Sequence, residues 1–208
     1  MPDSITAAGI LLVVGPLVGA IPIANPSLLG VWSATRDAHL ATIGAHRTAW
    51  AVLNLGFGFA TIATAAGLAI LALAADPDGA RAAALTAVAL AYAVGGALWC
   101  ALLAVRARTT PALADLVRDG RPTEPNETLL GAAQGGLFAA FVVSTCAALV
   151  GLGLTLLITG GVTAAVAIAT CVVGVATAAW LLVAGDVVPA VLYLPTLLIG
   201  VALLAGWT

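Results

Sequence analysis

The sequence predicts an all-α integral membrane protein, a single-domain bundle of six transmembrane helices, and three observations carry that expectation. First, 62% of the 208 residues are hydrophobic and only 8% are charged. Soluble domains carry about 25% charged residues, so this chain cannot cover a water-facing surface. Second, the seven basic and nine acidic residues leave charge-free runs over 4–35, 48–75, 82–105, 128–185 and 187–208. Third, those runs are long, continuous and rich in Ala, Leu and Gly, where a membrane barrel would alternate polar and apolar residues in short strands.

A spanning helix needs about 20 apolar residues, so four of the runs predict one helix each. The 58-residue run at 128–185 is too long for one crossing, and Gly160-Gly161 is the expected break. Helix one is expected at about 4–24, with Pro16 and Pro22 bending it and Gly15 and Gly19 permitting close approach of another helix. Its start lacks the positive flank of a signal peptide, so it is expected to be retained. Asn25-Pro26-Ser27 predicts a turn. An interfacial helix is expected at about 33–47, too polar to cross, anchored by Trp32 and Trp50 and leading into helix two at about 48–75.

Asp76-Pro77-Asp78-Gly79 predicts a tight turn, and helix three follows at about 82–105. Residues 106–127 form the one hydrophilic connection. Thr110-Pro111 resembles a cap followed by proline at the first helical position, which predicts a short separate surface helix over 111–118. Asn126 is expected to cap helix four, about 127–159, whose Gly131 and Gly135 repeat the close-packing spacing. Helices five and six are expected at about 162–184 and 188–207.

Orientation follows from arginine, since the chain has no lysine. Arg36, Arg47, Arg106, Arg108, Arg118 and Arg121 fall in the first, third and fifth connections, and only Arg81 falls on the other side. The positive-inside rule then puts those connections in the cytoplasm and both termini outside a cell membrane. A faint parallel repeat relates helices two-three to four-five: Asn54 precedes Trp99 by 45 residues, and Gln134 precedes Trp180 by 46. Cys100, Cys146 and Cys171 lie in apolar runs without metal or disulfide spacing.

At about 100° per residue, His39, His46, Trp50, Asn54, Phe57, Thr61 and Thr64 form one polar stripe. Glu127, Gln134, Phe138, Phe141 and Thr145 form a second in helix four, and Thr163, Thr170, Gly174 and Thr177 a third in helix five. Such faces are expected to turn inward, because an amide facing lipid is costly. Asn54 and Gln134 would bond each other, bond backbone carbonyls, or line a cavity. Asn54, Gln134, Trp50, Thr61 and Thr145 are therefore the candidate substrate-binding residues. A second candidate group is the cytoplasmic-face cluster Arg36, Asp37, His39, His46, Arg47, Arg106, Glu127 and Asp186, in which Asp186 is expected to seek Arg47 or Arg106.

Hydrolytic and phosphate-loop signatures are missing, so no catalytic residue is assigned and an enzyme is not expected. His39 and His46 are about 10.5 Å apart along a helix, too far to share one ion, so no metal or other cofactor is expected. The leading functional reading is a structural or accessory membrane subunit. Its partners would be the lipid bilayer and a second copy or another membrane subunit, with no nucleic acid. The alternative is a small-solute permease or channel using the faces around Asn54 and Gln134. A haem- or metal-binding protein using His39 and His46 ranks last.

Overall fold

The computed structural model of the protein describes residues 2–32, 35–75 and 79–206. Among them the chain is all-helical: α1 Pro2–Ala20, α2 Arg36–Ala45, α3 Arg47–Leu73, α4 Ala80–Arg118, α5 Glu124–Thr159, α6 Ala164–Ala184 and α7 Leu194–Ala205. Tight 3-10 turns occupy Ile21–Ala24, Pro26–Trp32 and Pro189–Tyr193. Five helices, beginning at Asp3, Arg47, Ala80, Glu127 and Ala164, are long and apolar enough to cross a membrane; Pro189–Ala205 is a shorter apolar helix.

The long helices follow one another around a ring. α1 packs on α3, α3 on α4, α4 on α5 and α5 on α6, and α7 closes the ring between α6 and α1, more lightly against α6. Small residues set the spacing. A Cβ on Gly15 would lie 2.9 Å from Ala63 Cβ and 3.1 Å from Ala60 O, and one on Gly153 would lie 2.6 Å from Ala167 O. The expected Gly15 and Gly19 pair thus meets α3. Among the described residues Gly131 and Gly135 have nothing within 4 Å of a would-be Cβ, so their spacing seats no described neighbour.

The interior divides into two apolar clusters. One, around Trp50, Trp99, Phe141 and Tyr193, surrounds the cavity described below. The other, around Leu12, Leu68, Tyr92, Leu152 and Ile199, fills the rest of the ring.

Several expected boundaries are corrected. The interfacial helix does not run into α3, because His46 (φ −122°, ψ 44°) leaves helical geometry and α2 ends at Ala45. His39 therefore drops out of the α3 stripe's register. The separate helix at 111–118 is also absent. α4 continues through Pro111, which is buried inside it, and reaches Arg118. Proline costs the carbonyl one turn back its donor, but the helix is held from outside: a Cβ on Gly44 of α2 would lie 3.1 Å from Ala114 Cβ.

The connection expected over 106–127 shrinks to residues 119–123, since α5 already begins at Glu124. At about 1.5 Å per residue, α4 and α5 are roughly 58 and 54 Å long, well beyond the about 30 Å of a bilayer's hydrocarbon core. Their joined ends project together, with α2 laid against α4. The last expected helix is split into the turn Pro189–Tyr193 and α7, where Pro189 and Pro195 remove backbone donors.

Gly160 (φ 75°) and Gly161 (φ 108°) do break the long run. Asn25 Oδ1 accepts from Ser27 N at 3.0 Å, a side-chain bond within the turn expected over these residues. Residues 76–78 of the turn expected over 76–79, and the capping side chain of Asn126, lie outside the described residues. Trp99 and Trp180, equivalent in the faint repeat, differ in environment: 1% against 62% exposed.

Candidate functional site: an aromatic cavity at the projecting end of the ring

α3 carries Trp50, Asn54, Phe57, Thr61 and Thr64 on one buried face. Trp50, Asn54 and Phe57 open onto a cavity of about 570 Å³. Trp99, Leu102, Leu103 and Arg106 from α4 supply a second wall, Gln134, Gly135 and Phe138 from α5 a third. The segment Asp186–Ala190 and Trp32 complete it. Trp32, Asp186 and Val188 are exposed while Trp50, Asn54 and Trp99 are buried, so the cavity runs from a mouth at the first toward a floor at the second.

The floor is aromatic. Trp99 stacks on Phe141 with centroids 4.7 Å apart and planes 12° from parallel, and Phe57 meets Trp99 edge-on at 6.1 Å and stacks on Tyr193 at 6.3 Å. Beneath Phe57, the Thr61 and Tyr193 hydroxyls share a 2.7 Å hydrogen bond, and Thr61 also donates to Phe57 O at 2.8 Å. Thr145 is buried deeper, beside Gly95 of α4, and its hydroxyl has no partner among the described residues.

The two amides do not bond each other. Asn54 Nδ2 donates to Trp50 O at 2.7 Å, and Gln134 Nε2 donates to Thr109 Oγ1 at 3.4 Å. Neither amide oxygen accepts from the opposite amide, and both residues line the cavity. Of the five candidate substrate residues, Trp50, Asn54 and Gln134 line it; Thr61 sits under its floor and Thr145 is remote.

The polar cluster separates into three parts. Arg36 Nε donates to Glu127 Oε2 at 3.1 Å and its Nη2 to Thr123 Oγ1 at 2.6 Å, while Nη1 meets Asp37 Oδ1 at 2.6 Å. These contacts tie α2 to the start of α5. The Glu127 hydrogen bond, then that of Asp37, raises the Arg36 pKa above its ordinary value. Arg47 pairs with Asp115, which also receives Arg118 at 2.8 Å. Asp115 lies beyond the charge-free run that ends at Val105. Its carboxyl is held below the usual range, first by the Arg47 hydrogen bond.

The third part is Arg106 and Asp186, both on the cavity wall. Asp186 therefore finds neither expected partner: Arg47 is committed to Asp115, and no ion pair within 4 Å joins Asp186 to Arg106. Asp186 Oδ1 instead accepts from Val187 N at 2.7 Å. Arg106 lies over the Trp50 ring, 5.3 Å from its centroid. His39 Nδ1 meets Val31 O at 3.0 Å, and its ring packs edge-on against Trp50 at 6.0 Å. His46 sits exposed at the α2–α3 break, so the two histidines face different surroundings.

The third sequence stripe is used for packing. Thr170, Gly174 and Thr177 are the buried face of α6, and a Cβ on Gly174 would lie 3.1 Å from Cys146 O of α5. Sequence reasoning missed Tyr193, which packs behind the floor residue Phe57 and is one of two tyrosines set in apolar runs, and Asp115 as the partner of Arg47. Comparison with protein-family models, with curated proteins and with solved structures finds no match.

Proposed function

We propose that the chain is a multi-pass membrane protein of six crossing helices that admits a small polar solute into this cavity, a permease of the small-solute class. The observation that carries the reading is the 570 Å³ cavity with Asn54 and Gln134 on facing walls. Ligand cavities typically measure about 300–1,000 Å³ and pair apolar walls with a few convergent polar groups. Buried amide groups in a purely structural bundle would be spent on interhelical bonds. Here, among the described residues, Asn54 bonds only within its own helix, while Gln134 makes one long interhelical bond of 3.4 Å to Thr109 of α4.

The sixth crossing is Pro189–Ala205, whose 3-10 turn and helix span about 28 Å at their respective rises, close to the hydrocarbon thickness. Arginine placement supports a cytoplasmic location for the projecting ends of α4 and α5, with both termini outside. The cavity mouth then faces the cytoplasm. The accessory-subunit reading draws support from α6, the least buried of the five long helices, but lipid alone covers such a face. The internal repeat gains nothing from the unlike surroundings of Trp99 and Trp180.

Solute entry into proteoliposomes, followed by light scattering with glycerol, urea and glycine, tests the permease reading. Faster entry than in protein-free liposomes, reduced by Asn54→Leu and by Gln134→Leu, is expected for at least one solute. Rates equal to those of protein-free liposomes for all three contradict it.

A further inference from the structure

The cavity holds one positive and one negative side chain, and the structure keeps them apart. Arg106 is a long, mobile cation that would ordinarily swing onto a nearby carboxylate. It is held instead over the face of Trp50, 5.3 Å from the centroid. Asp186 is held by the backbone N–H of Val187 at 2.7 Å. No salt bridge within 4 Å involves either residue among those described. Both nevertheless line the same cavity.

A solitary anion drawn to Arg106 would be opposed by Asp186, and a solitary cation drawn to Asp186 would be opposed by Arg106. A molecule carrying both charges is favoured at both. The tryptophan faces at the mouth and floor suit a cationic nitrogen and an apolar body alike. The amides of Asn54 and Gln134 can fix its orientation by hydrogen bonds.

We propose that the cavity binds a small zwitterion with an apolar body. Its anionic group sits at Arg106 and its cationic nitrogen at Asp186, while the body rests on Trp99, Phe57 and Phe138. The inference rests on the cavity being the solute site, and it names the class of solute. Two sources share this chemistry: a free amino-acid-like molecule and a phospholipid headgroup.

The test uses the full chain in nanodiscs of anionic phosphatidylglycerol, which brings no zwitterionic headgroup. Calorimetric titrations use phenylalanine and glycerophosphocholine as zwitterions, and 3-phenylpropionate and phenethylamine as the singly charged counterparts of phenylalanine. At least one zwitterion is expected to bind at least about tenfold more tightly than both singly charged probes. Phenylalanine binding identifies a free solute and glycerophosphocholine binding a headgroup; either supports the proposal. Asp186→Asn, at an exposed position, and Arg106→Gln are each expected to weaken that binding at least about tenfold, with thermal unfolding reporting that each variant is folded.

Equal binding of 3-phenylpropionate and phenylalanine, unchanged in Asp186→Asn, overturns the proposal in favour of an anion site. So does a lack of binding by all four probes. Water access at position 54, read by labelling of Asn54→Cys, separates the two failures. A labelled cysteine with no zwitterion binding leaves the cavity reading standing, and an unlabelled one removes both.

Discussion

Arg106 and Trp50 grip each other twice. The guanidinium lies over the indole ring at 5.3 Å, and the indole N–H donates to the Arg106 carbonyl at 3.2 Å. The two contacts bind α3 to α4 at the cavity wall and fix where the arginine's charge stands. The carbonyl bonded by Trp50 lies in the turn four residues before Thr110, so the grip also steadies α4 as it approaches Pro111.

This pairing predicts a measurable coupling. Trp50→Phe removes the indole donor and weakens the stacking surface, and Arg106→Gln removes the cation. A double-mutant cycle on unfolding in detergent should return a coupling of about 0.5–2 kcal/mol. Strict additivity would mean that the two side chains do not sense each other.

The glycines make a sharper contrast. Gly153→Ala would put a Cβ 2.6 Å from the Ala167 carbonyl and 2.5 Å from Cys171 Sγ. Backbone cannot give way as a side chain does, so a loss of about 1–3 kcal/mol is expected. Gly131→Ala and Gly135→Ala meet open space. They should be neutral or stabilising by up to about 1 kcal/mol through helix propensity. Equal destabilisation at all three sites would contradict the packing of α5 on α6.

Acid should unfasten the start of α3 from α4. The Asp115 carboxyl is held below the usual carboxylate range by Arg47, so the unfolded chain takes up that proton first as pH falls. The resulting stability is fully present above about pH 4, the ordinary aspartate value, and is lost as pH drops through the lowered value. Thermal unfolding followed from about pH 6 to pH 3 should decline more steeply in the wild type than in Asp115→Asn. Parallel curves would show that the Arg47 contact contributes nothing to folding.

Much of this architecture is legible in the residues because solvent preference is so one-sided. Charge-free runs mark the long helices, and Gly160-Gly161 marks a break because only glycine accepts both positive φ values cheaply. Amide residues on inward faces put Asn54 and Gln134 on one cavity. Two features were not legible. Thr110-Pro111 has the composition of a helix start, yet α4 continues through it with α2 packed alongside. The break at His46 has no proline or positive-φ glycine to announce it, and the nearby Gly44 stays inside α2, where it packs against Ala114 of α4. Nor does local sequence reveal that Arg47 belongs to Asp115, 68 residues away, which leaves Asp186 to the cavity.

The central claim is that water and solute reach Asn54 from the arginine-rich side. Asn54→Cys, in a chain with Cys100, Cys146 and Cys171 replaced by alanine, should react with a membrane-impermeant maleimide applied to inside-out vesicles. Phe59→Cys, on the outward face of the same helix where Phe59 is 48% exposed on the ring's exterior, should stay unreacted in lipid. Labelling at 54 and protection at 59 is the predicted result. Protection of Asn54→Cys from both sides of the membrane would contradict a solute cavity there.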